Sequence, residues 1–267
     1  MVRADEHTVR TFIRTLPGAV VALSGGVDSA VVLQLARTEL KHNLLAVTAT
    51  GHIYPPADLA YARRLAAALG VRHRELPMDQ LADPLFAANP PDRCYRCKSM
   101  LFAALRTLAA AEGFRVILDG TNAEDAQQYR PGLRAAAEAG VVSPLRAAGL
   151  TKEQVRNLAK NLGLDFWNRP SESCLATRIP YGEPLTRRRL EQVRRGEEFL
   201  RGLGYTTVRV RHHGALARIE VDPALLPRLI TAPHRELVLE KLRQLGFRFV
   251  TADLAGYRFG CFDVEPR

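Results

Sequence analysis

Two short stretches of this sequence carry sulfur at spacings that suit chemistry. Cys94 and Cys97 form a C-x-x-C within "NPPDRCYRCKSMLF" (89–102), and Cys174 stands alone within "PSESCLATRIPYG" (170–182). Two thiolates three residues apart can ligate one metal centre or pair as a redox disulfide. A closed structural zinc wants four ligands. Three thiolates from Cys94, Cys97 and Cys174 suit better a [4Fe–4S] cluster that leaves one iron open. Taken alone, Cys174 is equally a packed structural thiol, with Arg178 four places on and a Pro-Tyr-Gly turn behind it. The remaining cysteine, Cys261 in "YRFGCFDVEP", has no paired spacing and reads as structural. His212 and His213 make no metal pair, because neighbours on a strand point to opposite faces.

A second kind of chemistry is written in "LSGGVDSAVV" (23–32). An apolar run ends in Ser24-Gly25-Gly26, and a helix is expected to begin near Asp28-Ser29. Glycines let the backbone come close to an anion, while hydroxyls and helix N-terminal N–H groups point at it. The segment is not the G-x-x-x-x-G-K-[ST] phosphate loop, since no lysine occupies that place. "DGTNAED" (119–125) is expected to follow another strand and to face the same ligand, which makes Gly120, Thr121 and Asp125 candidates beside Lys98 and Arg130.

These residues need elements to hold them. "AVVALS" (19–24) and "LLAVTAT" (44–50) read as strands buried on both faces. "VRHREL" and "RVILDGTNA" supply a third and a fourth. Between them lie helical patterns: "SAVVLQLARTEL", "PADLAYARRLAAALG" closed by Gly70, and "KSMLFAALRTLAAAEG". "TKEQVRNLAKNLGL" follows, with Thr151 placed to cap it and Glu153 in the first turn. The expectation is an α/β fold, a parallel sheet covered by helices on both faces, with ligands outside the carboxyl ends of its strands. After about residue 168 the pattern changes. "LTRRRLEQVRRGEEFLRGLG" and "PHRELVLEKLRQLG" read as helices, "TTVRVRHH" and "LARIEVD" as half-exposed strands, and "FRFVTADL" as a further strand. A first domain over 1–168 and a smaller C-terminal α+β domain over 169–267 are expected. Glu197 and Glu198, on the first of those helices, read as surface charges.

The composition fits a soluble globular chain: 267 residues, 47% hydrophobic and 25% charged. A formal charge of +10 suggests an anionic partner. Only five of the 38 basic residues are lysines, however, and the Arg- and Ala-rich skew fits a coding bias as well as a nucleic-acid patch. "MVRADEHTVRTFIRTL" has acidic residues and no continuous apolar core, so it does not read as a signal peptide. No run approaches the roughly 18 apolar residues of a spanning helix. Four cysteines make no disulfide scaffold, and a reducing cytoplasm is the expected compartment.

SGGxDS after a first strand resembles the PP-loop of ATP pyrophosphatases, which cleave ATP between the α- and β-phosphates. The likeness implies that Ser24, Gly25, Gly26, Val27 and Ser29 cradle pyrophosphate and that Asp28 helps to hold Mg2+. The ordered set "ALSGGVDSAVV", "NPPDRCYRCK", "DGTNAED", "PSESCLATRIPYG" and "VRVRHHGALARIEVD" is more specific. It resembles the LarE-type ATP-dependent sulfur transferases over nearly the whole chain. That resemblance implies adenylation of a pyridinium carboxylate on a small mononucleotide, release of pyrophosphate and then AMP, and formation of a thiocarboxylate on the way to a nickel-pincer cofactor. It implies that Arg178, Arg209 and Arg211 receive the anionic substrate, although strand alternation alone would make Arg209 and Arg211 a solvated face. Catalysis would then fall to Cys174, Asp28 and Arg178.

One type in this family sacrifices the sulfur of a lone cysteine matching Cys174. The other holds a [4Fe–4S] cluster on cysteines matching Cys94, Cys97 and Cys174, and this chain has all three. A homo-oligomer, up to a hexamer, is implied as well, with nucleic acid and membrane not expected as partners. The competing readings are a cluster-dependent tRNA thiolase and a nucleotide sensor with a structural metal.

Overall fold

The computed structural model describes residues 2–127, 131–168 and 172–258. Arg130 and Cys261 lie outside them. The first half alternates as expected: α1 (Val2–Arg14), β1 (Ala19–Ala22), α2 (Val27–Leu40), β2 (Leu44–Thr50), α3 (Pro56–Ala68) and β3 (Arg72–Pro77). The short α4 (Pro84–Ala87) precedes the long α5 (Arg93–Ala111) and the two-residue β4 (Ile117–Leu118). Then come α6 (Pro131–Glu138), α7 (Pro144–Ala147) and α8 (Lys152–Asn161).

The four strands lie in the order β3-β2-β1-β4, and each pairing is parallel. Helices on both faces follow from the side-chain period of two. Ala19, Val21, Leu44 and Ala46 point into one core with α1, α2 and α8. Val20, Leu45 and Val47 point the other way, onto Leu101, Phe102 and Leu105 of α5. This is why β1 and β2 are continuous apolar runs rather than alternating ones.

The second half comprises α9 (Arg187–Gly202), β5 (Val208–His213), β6 (Leu216–Val221), α10 (Leu226–Ile230), α11 (His234–Gln244) and β7 (Phe249–Ala252). β5 and β6 form an antiparallel hairpin, and β7 joins β6 in parallel. Val208, Val210, Ile219 and Val221 pack under Leu200 of α9 and Val238 and Leu242 of α11.

The chain divides into two compact units, Met1–Gln80 with Asp92–Glu172, and Leu81–Pro91 with Ser173–Arg267. The segment Leu81–Pro91, counted with the first domain in the sequence reading, thus packs with the C-terminal elements. Buried Asn89 shows why. Its side-chain amide donates to the carbonyls of Pro180 (2.7 Å), Glu183 (3.0 Å) and Ile179 (3.3 Å), and its own carbonyl accepts from Gly182 N (2.9 Å).

Three local expectations change. The C-x-x-C lies inside a helix, because α5 starts at Arg93 rather than after Cys97. β5 is buried on both faces, not half-exposed. Its apolar side meets α9 and α11, and on its other side the Arg211 guanidinium donates to the carbonyl of Thr177 (2.8 Å). Glu197 is not a surface charge, because the buried face of α9 carries it inward against arginines.

Candidate functional site

The loop after β1 is organised by its own hydroxyls. Ser29 Oγ accepts from the Ser24 N–H (3.1 Å), donates to the Gly26 carbonyl (3.0 Å) and lies 3.1 Å from Ser24 Oγ. Ser24 Oγ in turn accepts from the Gly26 N–H (3.3 Å). Gly25 takes a positive φ of 80° with its Cα against the Asp58 backbone, so no side chain fits there. Val27 opens α2 and places Asp28 in its first turn.

The β4 end closes on this loop. A Cβ on Gly120 would sit 2.5 Å from Ser29 N, so strand end and helix start meet backbone to backbone. Asp119 accepts from Thr121 N (3.1 Å), Thr121 Oγ1 (2.7 Å) and Ser143 Oγ (2.6 Å). Asp125 accepts from Asn122 N (3.1 Å). Thr121 and Asp125 therefore shape the loop that reaches Asp28 and Ser29.

Lys152, which the sequence reading passed over, donates its ammonium to the Asp28 carboxylate. Thr151 caps α8 through a full capping box with Gln154, and the Lys152 N–H donates to Glu124 (3.1 Å). The available signal was the Thr151 cap, which places a lysine at the start of a helix that follows the "DGTNAED" loop.

A cleft beside Ser24 runs along the ends of β1 and β2 and is lined by Thr48, Tyr54, Asp58, Lys98 and Leu101 among others. Tyr54 accepts a hydrogen bond from Gln80 Nε2 (2.6 Å), whose same nitrogen lies 4.0 Å from Cys97 Sγ. The cleft wall and the C-x-x-C helix therefore share one buried amide.

In the second unit Cys174 precedes a single 3-10 turn, Leu175–Arg178. Its carbonyl accepts from Thr177 N (3.1 Å) and Thr177 Oγ1 (2.8 Å). Arg178, expected to receive substrate, is wholly buried at 0% exposure, with its donors turned to protein. Arg211 forks onto Glu220 (2.9 and 2.7 Å), and Arg209 stacks over Tyr257. Burial would push the Glu197 carboxyl up, yet Arg178, Arg209 and Arg201 together hold it below the ordinary carboxylate value. Burial pulls His212 down to about 4, with its ring at Gln192 and Phe247.

Cys94, Cys97 and Cys174 form no disulfide and are partly exposed. Within either unit, the described residues gather no group of three or more His, Cys, Asp or Glu side chains able to hold a metal ion. Among the described residues the first unit offers two thiols and the second one, so neither alone fits a three-thiolate cluster. No helix of the described residues is long and apolar enough to cross a membrane.

Comparison with known proteins places the chain. The asparagine synthase family model matches residues 6–126. The pyridinium-3,5-bisthiocarboxylic acid mononucleotide synthase of Lactiplantibacillus plantarum is 39% identical over 254 residues, 95% of this chain and 91% of its own. This chain belongs to that synthase's family. An uncharacterized Synechocystis protein, slr1717, is also 39% identical, over 97% of both chains. An NH(3)-dependent NAD(+) synthetase of Mannheimia succiniciproducens is 32% identical over 58% of this chain and 64% of its own. Within the synthase family the first unit is the shared ATP-utilising PP-loop architecture, and the parallel sheet and glycine loop above are its structural signature.

Proposed function

We propose that this chain is an ATP-dependent sulfurtransferase that converts the carboxylates of a pyridinium-3,5-biscarboxylate mononucleotide into thiocarboxylates, in nickel-pincer cofactor biosynthesis. The observation that carries this reading is the 39% identity to the synthase across 95% of the chain. A carboxylate is a poor electrophile because its leaving group would be oxide. Transfer of AMP from ATP makes the same carbon an acyl-adenylate, with pyrophosphate released first and AMP displaced by sulfur afterwards.

In this reading the backbone N–H groups and hydroxyls of Ser24, Gly25, Gly26, Val27 and Ser29 cradle the pyrophosphate, and the start of α2 adds its positive end. Asp28 is a fitting ligand for Mg2+, being a carboxylate already drawn to a cation, and the ion would offset phosphate charge. Lys152 supplies the positive charge that a loop without a Walker lysine lacks. Gly120, Thr121 and Asp125 shape the wall of this site, and Lys98 lines the adjoining cleft. Arg209 remains a candidate for holding the anionic substrate, whereas Arg211, implied beside it by the family resemblance, has its guanidinium committed to Glu220 and the Thr177 carbonyl.

For the sulfur, residue types favour a [4Fe–4S] cluster on Cys94, Cys97 and Cys174 over the loss of Cys174's own sulfur. The test is anaerobic incubation with ATP and the biscarboxylate mononucleotide, reading AMP, pyrophosphate and thiocarboxylate by mass spectrometry. Iron and sulfide analysis with intact mass then identifies the source. Cluster delivery predicts iron and no mass loss, and loss of one molecule of hydrogen sulfide from Cys174 would indicate the sacrificial route. ATP binding with no AMP released would leave a nucleotide sensor.

A cluster-dependent tRNA thiolase is the second reading, which the charge of +10 keeps testable. RNA binding that persists at physiological salt would favour it. The family reading also extends to a homo-oligomer, up to a hexamer, which sedimentation would measure.

A further inference from the structure

We infer that Arg178 does not grip substrate but is a positioning residue that sets the backbone of the Cys174 turn, with Glu197 holding it in place. Its bearing on catalysis rests on the sulfurtransferase reading above. The structural content does not.

One edge of the guanidinium is committed to α9. Arg178 Nε donates to Glu197 Oε1 (2.7 Å) and Nη2 to Oε2 (3.0 Å), a fork that fixes the plane of the ion. The other edge is committed to the cysteine turn. The two hydrogens of Nη1 are shared among four acceptors within reach, Ser173 O (2.8 Å), Ser173 Oγ (2.8 Å), Thr177 Oγ1 (2.9 Å) and Cys174 O (3.1 Å). Both side chains of the pair are at 0% exposure. A buried cation whose two edges are both used by protein has no face left for a ligand.

Glu197 is tied on its own side. Its Oε1 also accepts from Val210 N of β5 (3.1 Å), and its Oε2 from Arg201 Nη2 (2.9 Å). The carboxylate therefore joins α9, β5 and, through Arg178, the carbonyls on either side of the Cys174 Cα. Apolar packing could bury this turn, but only directional donors can orient two successive carbonyls and hence the direction in which the Cys174 side chain leaves the backbone. Arg178 acts through Cys174, four residues away in sequence.

The test uses Arg178→Lys, which keeps the charge and loses the fork, and Glu197→Gln, which keeps the shape and loses the charge. Site-resolved iodoacetamide alkylation of Cys174 is followed in the full chain, as isolated and after iron chelation. Both variants are expected to alkylate Cys174 at least fivefold faster than the parent, with Cys94 and Cys97 unchanged. Thiocarboxylate formation should lose about a hundredfold in kcat, with KM for the mononucleotide within threefold.

A tenfold or larger rise in KM with kcat and alkylation preserved would overturn the inference, because Arg178 would then touch substrate. Unchanged alkylation in both variants would overturn it too. Should Glu197→Gln not fold, Ser173→Ala with Thr177→Val removes two of the same acceptors from the turn itself and must reproduce the faster alkylation. A parent chain without thiocarboxylate activity defeats the functional reading and leaves the alkylation arm to decide the positioning.

Discussion

Lys152, the first residue of α8, forms an ion pair with Asp28, in the first turn of α2. The two are 124 positions apart in the chain, and the pair puts a cation at the mouth of a phosphate-type loop that lacks its own.

Removing that cation tests its role. Lys152→Met is expected to raise KM for ATP roughly ten- to a hundredfold, the equivalent of one charge-assisted hydrogen bond of about 1.5–3 kcal/mol. Lys152→Arg should recover much of the loss. Steady-state pyrophosphate release measures it, and an unchanged KM in Lys152→Met would make the pair purely structural.

Gly120→Ala forces a methyl against Ser29 N, where backbone rather than a flexible side chain must yield. The expected cost is about 1–3 kcal/mol of stability, with nucleotide binding weakened more than the melting temperature suggests. Gly202→Ala, on the last turn of α9 with nothing within 4 Å of the added Cβ, is the control. It should be neutral or slightly stabilising. Thermal melts with and without ATP separate the two.

The Glu197 carboxylate gives an acid-stability prediction. Its value in the fold lies below the ordinary 4.5, so the unfolded chain takes up its proton first as pH falls. The stabilisation is complete above 4.5 and is lost as pH drops through the folded value. Glu197→Gln should flatten that limb of a melting-temperature profile. At neutral pH it should cost on the order of 3–5 kcal/mol, because buried Arg178 loses its counter-charge.

His212 titrates in a different window. It is held neutral, at about 4 against an ordinary 6.5, so between those values the unfolded chain binds the extra proton and stability rises with pH. His212→Phe, which keeps a ring against Phe247, should reduce the pH dependence between about 6.5 and 4, leaving the share of His73 and His213, which burial also lowers. The lost contact to Gln192 lowers the plateau. Denaturant unfolding at three pH values across the window would show an undiminished slope if His212 did not contribute.

The alternation of apolar runs and helical patterns made the parallel sheet legible, because β1 and β2 must be apolar on both sides wherever helices cover both faces. The loop of Ser24 to Ser29 was legible because its glycines and hydroxyls act within six residues of one another. The start of α5 was misread because "NPPD" looks like loop, while Asp92 and the residues after it already turn. The half-exposed reading of β5 and the surface reading of Glu197 fail for one shared reason. A charge on an alternating strand or an amphipathic helix looks solvated until its partner is known, and Glu197 has partners 19 and 13 positions away.

Short-range pattern thus determined the order of the elements and the phosphate-type loop. Tertiary structure decided which charges meet: Lys152 on half-buried Asp28, and, fully buried, Arg211 on Glu220 and Arg178 between Glu197 and the Cys174 turn. The physical reason is that a buried ion is tolerated only with its counter-ion and hydrogen bonds in place, and those partners come from chain-distant elements that only folding brings into reach.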